Sequence, residues 1–395
     1  MDRVELLSPA GDLERLKIAL LYGADAVYIG GREYSLRANA NNFSIEEIKE
    51  ACDFAHNLNK KVYLTLNIVF HNEDIDGVED FIKDVVDAGI DAFIVSDPFL
   101  IRYIKGKYDV EVHLSTQGST TNKEAVLYWK EEGLDRVVLA REVSIKEIKE
   151  IMDYSPIDLE VFIHGAMCTF YSGRCTLSNY FTNRDANRGG CAQICRFAFD
   201  IEEYPEKFTM ATKDLNMSAF LKELLDSGVK SLKVEGRMRS AYYLATVISS
   251  YRRLIDAYYD GTLTKELVAK ENKILSRVAN RETSTHYYLK KADYTDQYYT
   301  GRQENSNQDF LAQVISHNKK DKIVTITERN YFEVGNEVEI FTPKGDIISF
   351  KVEKLYDENM NPIDVARHPE EILNLYVPTD IDIEKDSMMR IKVNW

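Results

Sequence analysis

"DAVYIGG", Asp25 to Gly31, is the stretch on which the fold turns. It is a short apolar run that includes Val, Ile and Tyr, and Gly23 just before it lies past a helical stretch. A glycine in that position relieves the left-handed turn that closes a helix. The pattern recurs along the chain in "VELLSPA", "KVYLTLNIV", "DAFIVSD", "VEVHLST", "DRVVLARE", "DLEVFIHG" and "KSLKVEG", with Gly89, Gly133 and Gly228 also following helical stretches. Runs of this length and composition suit strands buried on both faces of a parallel sheet. Between them lie amphipathic helices, expected over residues 44–59, 75–88, 122–132, 144–154 and 218–227. In the first, Ser44 and Glu47 have capping-box spacing, and Ile45, Ile48, Cys52 and Ala55 share one face. Cys52 is therefore a core residue. Eight strand-helix units predict a (β/α)8 TIM-like barrel, with a doubly wound open sheet as the alternative.

The chain has 395 residues, 44% hydrophobic and 29% charged, which is room for a large domain and a smaller one. No apolar run approaches the roughly 20 residues that span a bilayer, and the start "MDRVELLSPAGD" has no signal-peptide core. A cytoplasmic protein with no membrane partner is the expectation. The formal net charge of -15 gives no general attraction to nucleic acid, so an RNA partner would need a local basic patch. Residues 1–261 are expected to form the barrel, with a cluster loop and hairpin over 164–217. Residues 262–308 read as a helical, wrapping linker. Residues 309–395 alternate in the manner of antiparallel strands and read as a small β-barrel-like domain. That last segment has 11 basic and 17 acidic residues, a poor composition for bulk RNA binding.

Four of the five cysteines, Cys168, Cys175, Cys191 and Cys195, occupy the long interval after the seventh strand. Extended loops at strand C-termini are where barrels place their chemistry. In a reducing compartment, clustered cysteines favour metal ligation or catalysis over disulfides. The spacing C-x6-C-x15-C-x3-C lacks the paired tight knuckles of most zinc sites. An iron–sulfur cluster tolerates wider spacing, and Phe170, Tyr171, Tyr180 and Phe181 could shield one from water. A nucleophilic thiol with His164, or with His113 and Gln117 from another strand end, is the third reading. On the residues alone, cluster leads, zinc follows and nucleophile trails. Arg174, Arg184, Arg188 and Arg196 stand in the same segment against Asp185 and suit an anionic partner, unless they simply pair with acidic neighbours.

"EVFIHGAMCTFYSGRCTLS", Glu160 to Ser178, resembles the signature of peptidase family U32, E-x-F-x2-G-A-M-C-x4-G-x-C-x-L-S. The resemblance extends through "SPAG" at Ser8, "VSDP" at Val95, "HLSTQ" at His113, "VLARE" at Val138, "TKDL" at Thr212 and "KVEGRMRSAYY" at Lys233. It departs from the family around "VANRETSTHYYL", where a more glycine-rich turn is usual. The family name implies a collagenase-like peptidase. Its better-understood branches imply instead O2-independent hydroxylases, or their partner subunits, acting on tRNA, ribosomal RNA or the ubiquinone ring. This sequence is most similar to the branch that hydroxylates C5 of the tRNA wobble uridine. That likeness implies a [4Fe-4S] cluster on Cys168, Cys175, Cys191 and Cys195, supplied by iron–sulfur assembly machinery, and prephenate, a small dicarboxylate, as hydroxyl donor. The anticodon loop of tRNA would be met by Arg174, Arg184, Arg188 and Arg196. The resemblance further implies site roles for His113, Gln117, Arg141, His164, Lys213, Lys233, Glu235 and Arg237. Arg141, Lys233 and Arg237 suit carboxylate binding, and His113 or His164 could move protons. Glu142 and Asp214 could equally be catalytic or close the barrel mouth through ion pairs.

Overall fold

The computed structural model describes residues 3–36, 42–203, 205, 207–279, 281–297 and 309–393. The first seven apolar runs form parallel strands in chain order: β1 (Glu5–Pro9), β2 (Ala26–Gly30), β3 (Lys61–Leu66), β4 (Ala92–Val95), β5 (Glu111–Leu114), β6 (Arg136–Val138) and β7 (Asp158–Gly165). A three-residue strand, β8 (Asp214–Asn216), then runs antiparallel to the end of β7. The eighth apolar run is β9 (Ser231–Val234), which pairs in parallel with both β7 and β1. Lys233 faces Phe162 on one side and Leu7 on the other, so the sheet closes on itself. Closure decides for the barrel over the open sheet.

Helices alternate with the strands. Helix Ile45–Asn57 carries the expected capping box at Ser44 and Glu47, and Cys52 on its buried face has its thiol pushed up to about 12 by burial. Gly23, Gly89, Gly133 and Gly228 all have positive φ, as helix-closing glycines do. Two helices differ from expectation. The stretch expected over 75–88 breaks at Gly77, which has φ +85°, leaving a short turn Asn72–Ile75 before helix Val78–Asp87. The stretch expected over 218–227 is a 3-10 turn, Ser218–Phe220, followed by helix Leu221–Leu225.

The barrel interior carries charge from the strands themselves. Arg136 on β6 reaches across to Glu5 on β1 at 2.6 Å and to Glu160 on β7 at 3.2 Å. Lys233 on β9 meets Glu160 at 2.7 Å, and Tyr63 on β3 donates to Glu5 at 2.6 Å. Alternation along each strand turns these side chains inward, away from the helix layer.

The hairpin expected after the cysteines reduces to one antiparallel bridge between Phe199 and Phe208, and its tip residues Tyr204 and Glu206 lie outside the described residues. In the expected linker, helix Lys265–Val278 is followed by β10 (Thr283–Ser284), which pairs with β8. Residues 280 and 298–308 lie outside the described set. The C-terminal segment holds an eight-stranded antiparallel sheet, built around Phe310–Asn318 between Ile323–Glu328 and Met388–Ile391, and a separate pair, Phe332–Glu333 with Val365–Ala366. It is docked firmly on the barrel: Tyr22 donates to the Asp386 carbonyl at 2.9 Å, and Tyr242 stacks on Phe310 at 4.5 Å.

Candidate active site at the barrel mouth

The end of β7 sets the site. Gly165 has φ +107°, and a Cβ there would stand 2.3 Å from the Glu235 carbonyl oxygen. Only glycine lets the two strand ends approach this closely. The chain then leaves the barrel as the cysteine loop, which is tied down at several points. Thr212 Oγ1 donates to the Met167 carbonyl at 3.1 Å. Glu142 accepts from the Ser172 amide at 2.8 Å and from its hydroxyl at 3.1 Å, holding a residue with φ +49°. Asn187 clasps the Cys175 peptide from both sides, accepting from its N–H at 3.1 Å and donating to its carbonyl at 2.9 Å.

This bracing brings Cys168, Cys175, Cys191 and Cys195 to one cavity of about 430 Å³. Its other walls include Phe170, Leu177, Ile194, Arg141, Arg196, Arg239 and Arg281. Burial pushes the Cys168 and Cys195 thiols up. The Phe170 N–H and Arg141 act against this at Cys168, and Arg196 does so at Cys195. The Leu177 amide donates to Cys175 Sγ at 3.3 Å. Among the described residues, no three Cys, His, Asp or Glu side chains close into a set that could hold a single metal ion.

A smaller recess of about 60 Å³ lies against the strand ends, lined by Tyr28, Thr65, Asn67, Ser115, Phe162, Lys233 and Arg237. Gln117, Arg141 and Glu235 line both spaces and form their common wall. The Arg141 guanidinium lies 4.1 Å over the Phe162 ring and donates to the Ala166 carbonyl at 3.2 Å, while its Nε is buried without a hydrogen-bond partner. Asn67 Oδ1, on the recess wall, is likewise buried and unpaired. Lys233 is fully enclosed and bonded to Glu160, and burial holds its pKa below the usual lysine range. Arg237 is held by Ser35 at 2.8 Å and by Asn42.

Of the residues expected here, five gather at these two spaces besides the cysteines: Gln117, Arg141, Lys233, Glu235 and Arg237. Three do not. His113 is sealed within the barrel, bonded to Glu111 at 3.0 Å and edge-on to Tyr63. His164 turns to the helix layer beside Tyr251, 3.3 Å away, where burial brings its pKa down to about 3. Lys213 pairs with Glu282 at 2.8 Å. Asp214 is gripped by Arg239 at 3.0 Å and Arg281 at 3.2 Å, whereas Glu142 is engaged by the Ser172 amide and hydroxyl.

The four arginines differ in their surroundings. Arg188 is neutralised by Glu73 and Asp74 at 2.9 and 2.8 Å, and Arg196 is half-buried in the cavity wall. Arg174 and Arg184 are exposed. The aromatic shield also differs: Phe170 lines the cavity, whereas Tyr171, Tyr180 and Phe181 face outward. Arg239 and Arg281 are cavity residues that the sequence reading passed over. Arg239 lies two positions beyond Arg237 in a quoted motif, a signal that was available. Arg281 sits in the stretch that departs from the family, which gave none.

A closed barrel with a thiol-bearing loop over a basic recess has the layout of a barrel enzyme that works at its strand C-termini. The chain belongs to peptidase family U32, whose sequence model matches residues 11–298, while that of the U32 C-terminal domain matches 306–390. The tRNA hydroxylation protein P1 of Bacillus subtilis is 45% identical, over 98% of this chain and 94% of its own. The tRNA hydroxylation protein P of Haemophilus influenzae is 34% identical, over 99% and 96%. A protein of Porphyromonas gingivalis named collagenase is 32% identical, over 89% of each chain.

Proposed function

We propose that this chain is an RNA-modifying enzyme that hydroxylates C5 of the tRNA wobble uridine without O2. It would use a [4Fe-4S] cluster on Cys168, Cys175, Cys191 and Cys195 and a small dicarboxylate, prephenate in the first instance, as hydroxyl donor. The observation that carries the reading is the meeting of four thiols at one cavity beside a basic recess, in a chain similar along its whole length to tRNA hydroxylation proteins. The donor set fits the cluster: four sulfur ligands on separate turns, two of them receiving backbone N–H bonds of the kind that stabilise thiolates. A single zinc ion asks for four ligands at about 2.3 Å, and among the described residues no three such side chains close into a set for one ion.

When bound, the cluster supplies the electron chemistry that side chains lack. The protein's own residues bind and orient. Arg141 Nε is a buried donor awaiting an acceptor, and with Lys233 it suits carboxylate oxygens. Asn67 Oδ1 offers the matching acceptor for a donor hydroxyl. Gln117 and Glu235, in the common wall, stand where donor and target base would meet. An anticodon-loop base is already partly unstacked, so presenting it costs little.

The peptidase reading has the collagenase-named relative in its favour. It needs a thiol and an imidazole in hydrogen-bond reach, yet among the described residues neither His113 nor His164 lines the thiol cavity. No helix among the described residues is long and apolar enough to cross a membrane. A role as partner subunit to another U32 protein, or action on another RNA or a small aromatic ring, stays within reach of the same site.

The test is mass analysis of tRNA nucleosides from a deletion strain, paired with anaerobic purification. Loss of 5-hydroxyuridine derivatives and a brown protein with about four iron per chain are expected. Undiminished derivatives would refute the function, and a colourless protein with one zinc would refute the cluster.

A further inference from the structure

Beside Phe170, which lines the cavity, the cysteine loop carries aromatic residues that stand in solvent. Tyr180 is 85% exposed, Phe181 57% and Phe197 51%. They are neighbours: Tyr180 and Phe181 lie on helix Leu177–Thr182, which packs against the 3-10 turn Ile194–Arg196 that Phe197 follows. Phe181 is backed by Phe199, edge-on at 5.9 Å, and Phe199 by Phe208. Rings are held out while the turn beneath them carries Cys195 and Arg196 on the cavity wall. A lone exposed ring is ordinary, but rings clustered on adjoining elements make the kind of exposed apolar patch that marks an interaction site.

We propose that this face is a base-stacking platform, on which nucleotides flanking the target base lie while that base enters the cavity; the inference rests on the RNA reading above. Three features suit RNA. A ring exposed to 85% leaves its faces open, as stacking with a base requires. Arg184, just beyond Phe181, is exposed with no acid paired to it among the described residues, and Arg174 spends one N–H on the Gln117 carbonyl. Both can therefore take phosphate. Finally, extruding a base into a cavity parts its neighbours, and aromatic faces at the mouth replace the stacking they lose. The platform also answers the acidic net charge: stacking does not depend on long-range attraction.

The experiment uses the full chain purified anaerobically and a dye-labelled RNA stem-loop, with a fully paired RNA duplex as control. Tyr180→Ala and Phe197→Ala should each weaken stem-loop binding roughly tenfold and leave duplex binding unchanged. Tyr180→Phe should bind normally, because the ring and not the hydroxyl is used. Arg184→Ala should weaken both RNAs and lower the salt slope by about one. Alanine variants that melt as the parent does and bind the stem-loop equally well would overturn the platform. So would loss of a co-purifying protein with no change in RNA affinity, which would mark a protein interface. A parent chain that binds no stem-loop, together with undiminished hydroxyuridine in the deletion strain, would overturn the RNA reading itself.

Discussion

Glu160 shows how much a single residue carries in this barrel. Burial alone would raise its carboxyl, but Lys233 and Arg136 bring it down to about 2. Glu160→Gln keeps the shape and removes the charge, stranding a buried ammonium beside a buried guanidinium. We expect a loss of about 3–5 kcal/mol in urea unfolding at neutral pH. The sign with pH follows from the lowered value. The stabilisation is present in full above the ordinary carboxyl value of 4.5 and is lost as pH falls from there toward about 2. The gap between parent and variant should narrow across that window, and a constant gap would show that the charge is not what stabilises. Residue identity alone marked the chemistry-bearing side chains, but not which way they point. His164 lies four residues from Cys168, yet the register shift between Phe162 and His164 in the β7–β9 pairing turns it to Tyr251. Sequence proximity is not proximity at a site.

Among the elements, the end of β7 is the most sensitive joint. Gly165→Ala would place a Cβ against the Glu235 backbone at a positive φ. A loss of roughly 2–3 kcal/mol is expected in denaturant titration, together with a displaced Glu235 and lowered activity. Unchanged stability would mean that the two strand ends can part without cost. Elements written in local chemistry were legible: the Ser44 and Glu47 capping box gave helix Ile45–Asn57 within two residues at its far end. The break at Gly77 and the strand β8 were not. β8 has three residues, and its partners lie on the end of β7 and on β10, so no local pattern announces it. The hairpin is the converse case, two alternating arms that meet in a single bridge because the loop is held by the cysteine segment instead.

At the scale of the molecule, the two domains share packing. Phe341 and Met388 of the C-terminal segment belong to the same buried cluster as the barrel helices, and Arg277 pairs with Asp309 at 2.6 Å across the junction. One calorimetric transition is therefore expected rather than two, and well-separated transitions would show that the docking surface contributes little. Removing residues 309–395 should expose Tyr22 and Tyr242 and reduce solubility.

Local pattern sufficed for the eight barrel strands, most of the helices and the four thiols, because apolar run length, capping and residue type act over a few neighbours. Whether the sheet closes was decided only in three dimensions, by Lys233 finding Phe162 and Leu7 on either side. The tertiary structure likewise sorted the candidates. It collected Gln117, Arg141, Lys233, Glu235 and Arg237 at the mouth, sealed His113 below, and turned Tyr171, Tyr180 and Phe181 to solvent. The physical reason is the same in each case. A side chain's direction depends on strand register and on loop bracing by residues such as Glu142 and Thr212, which lie far along the chain from the peptides they hold.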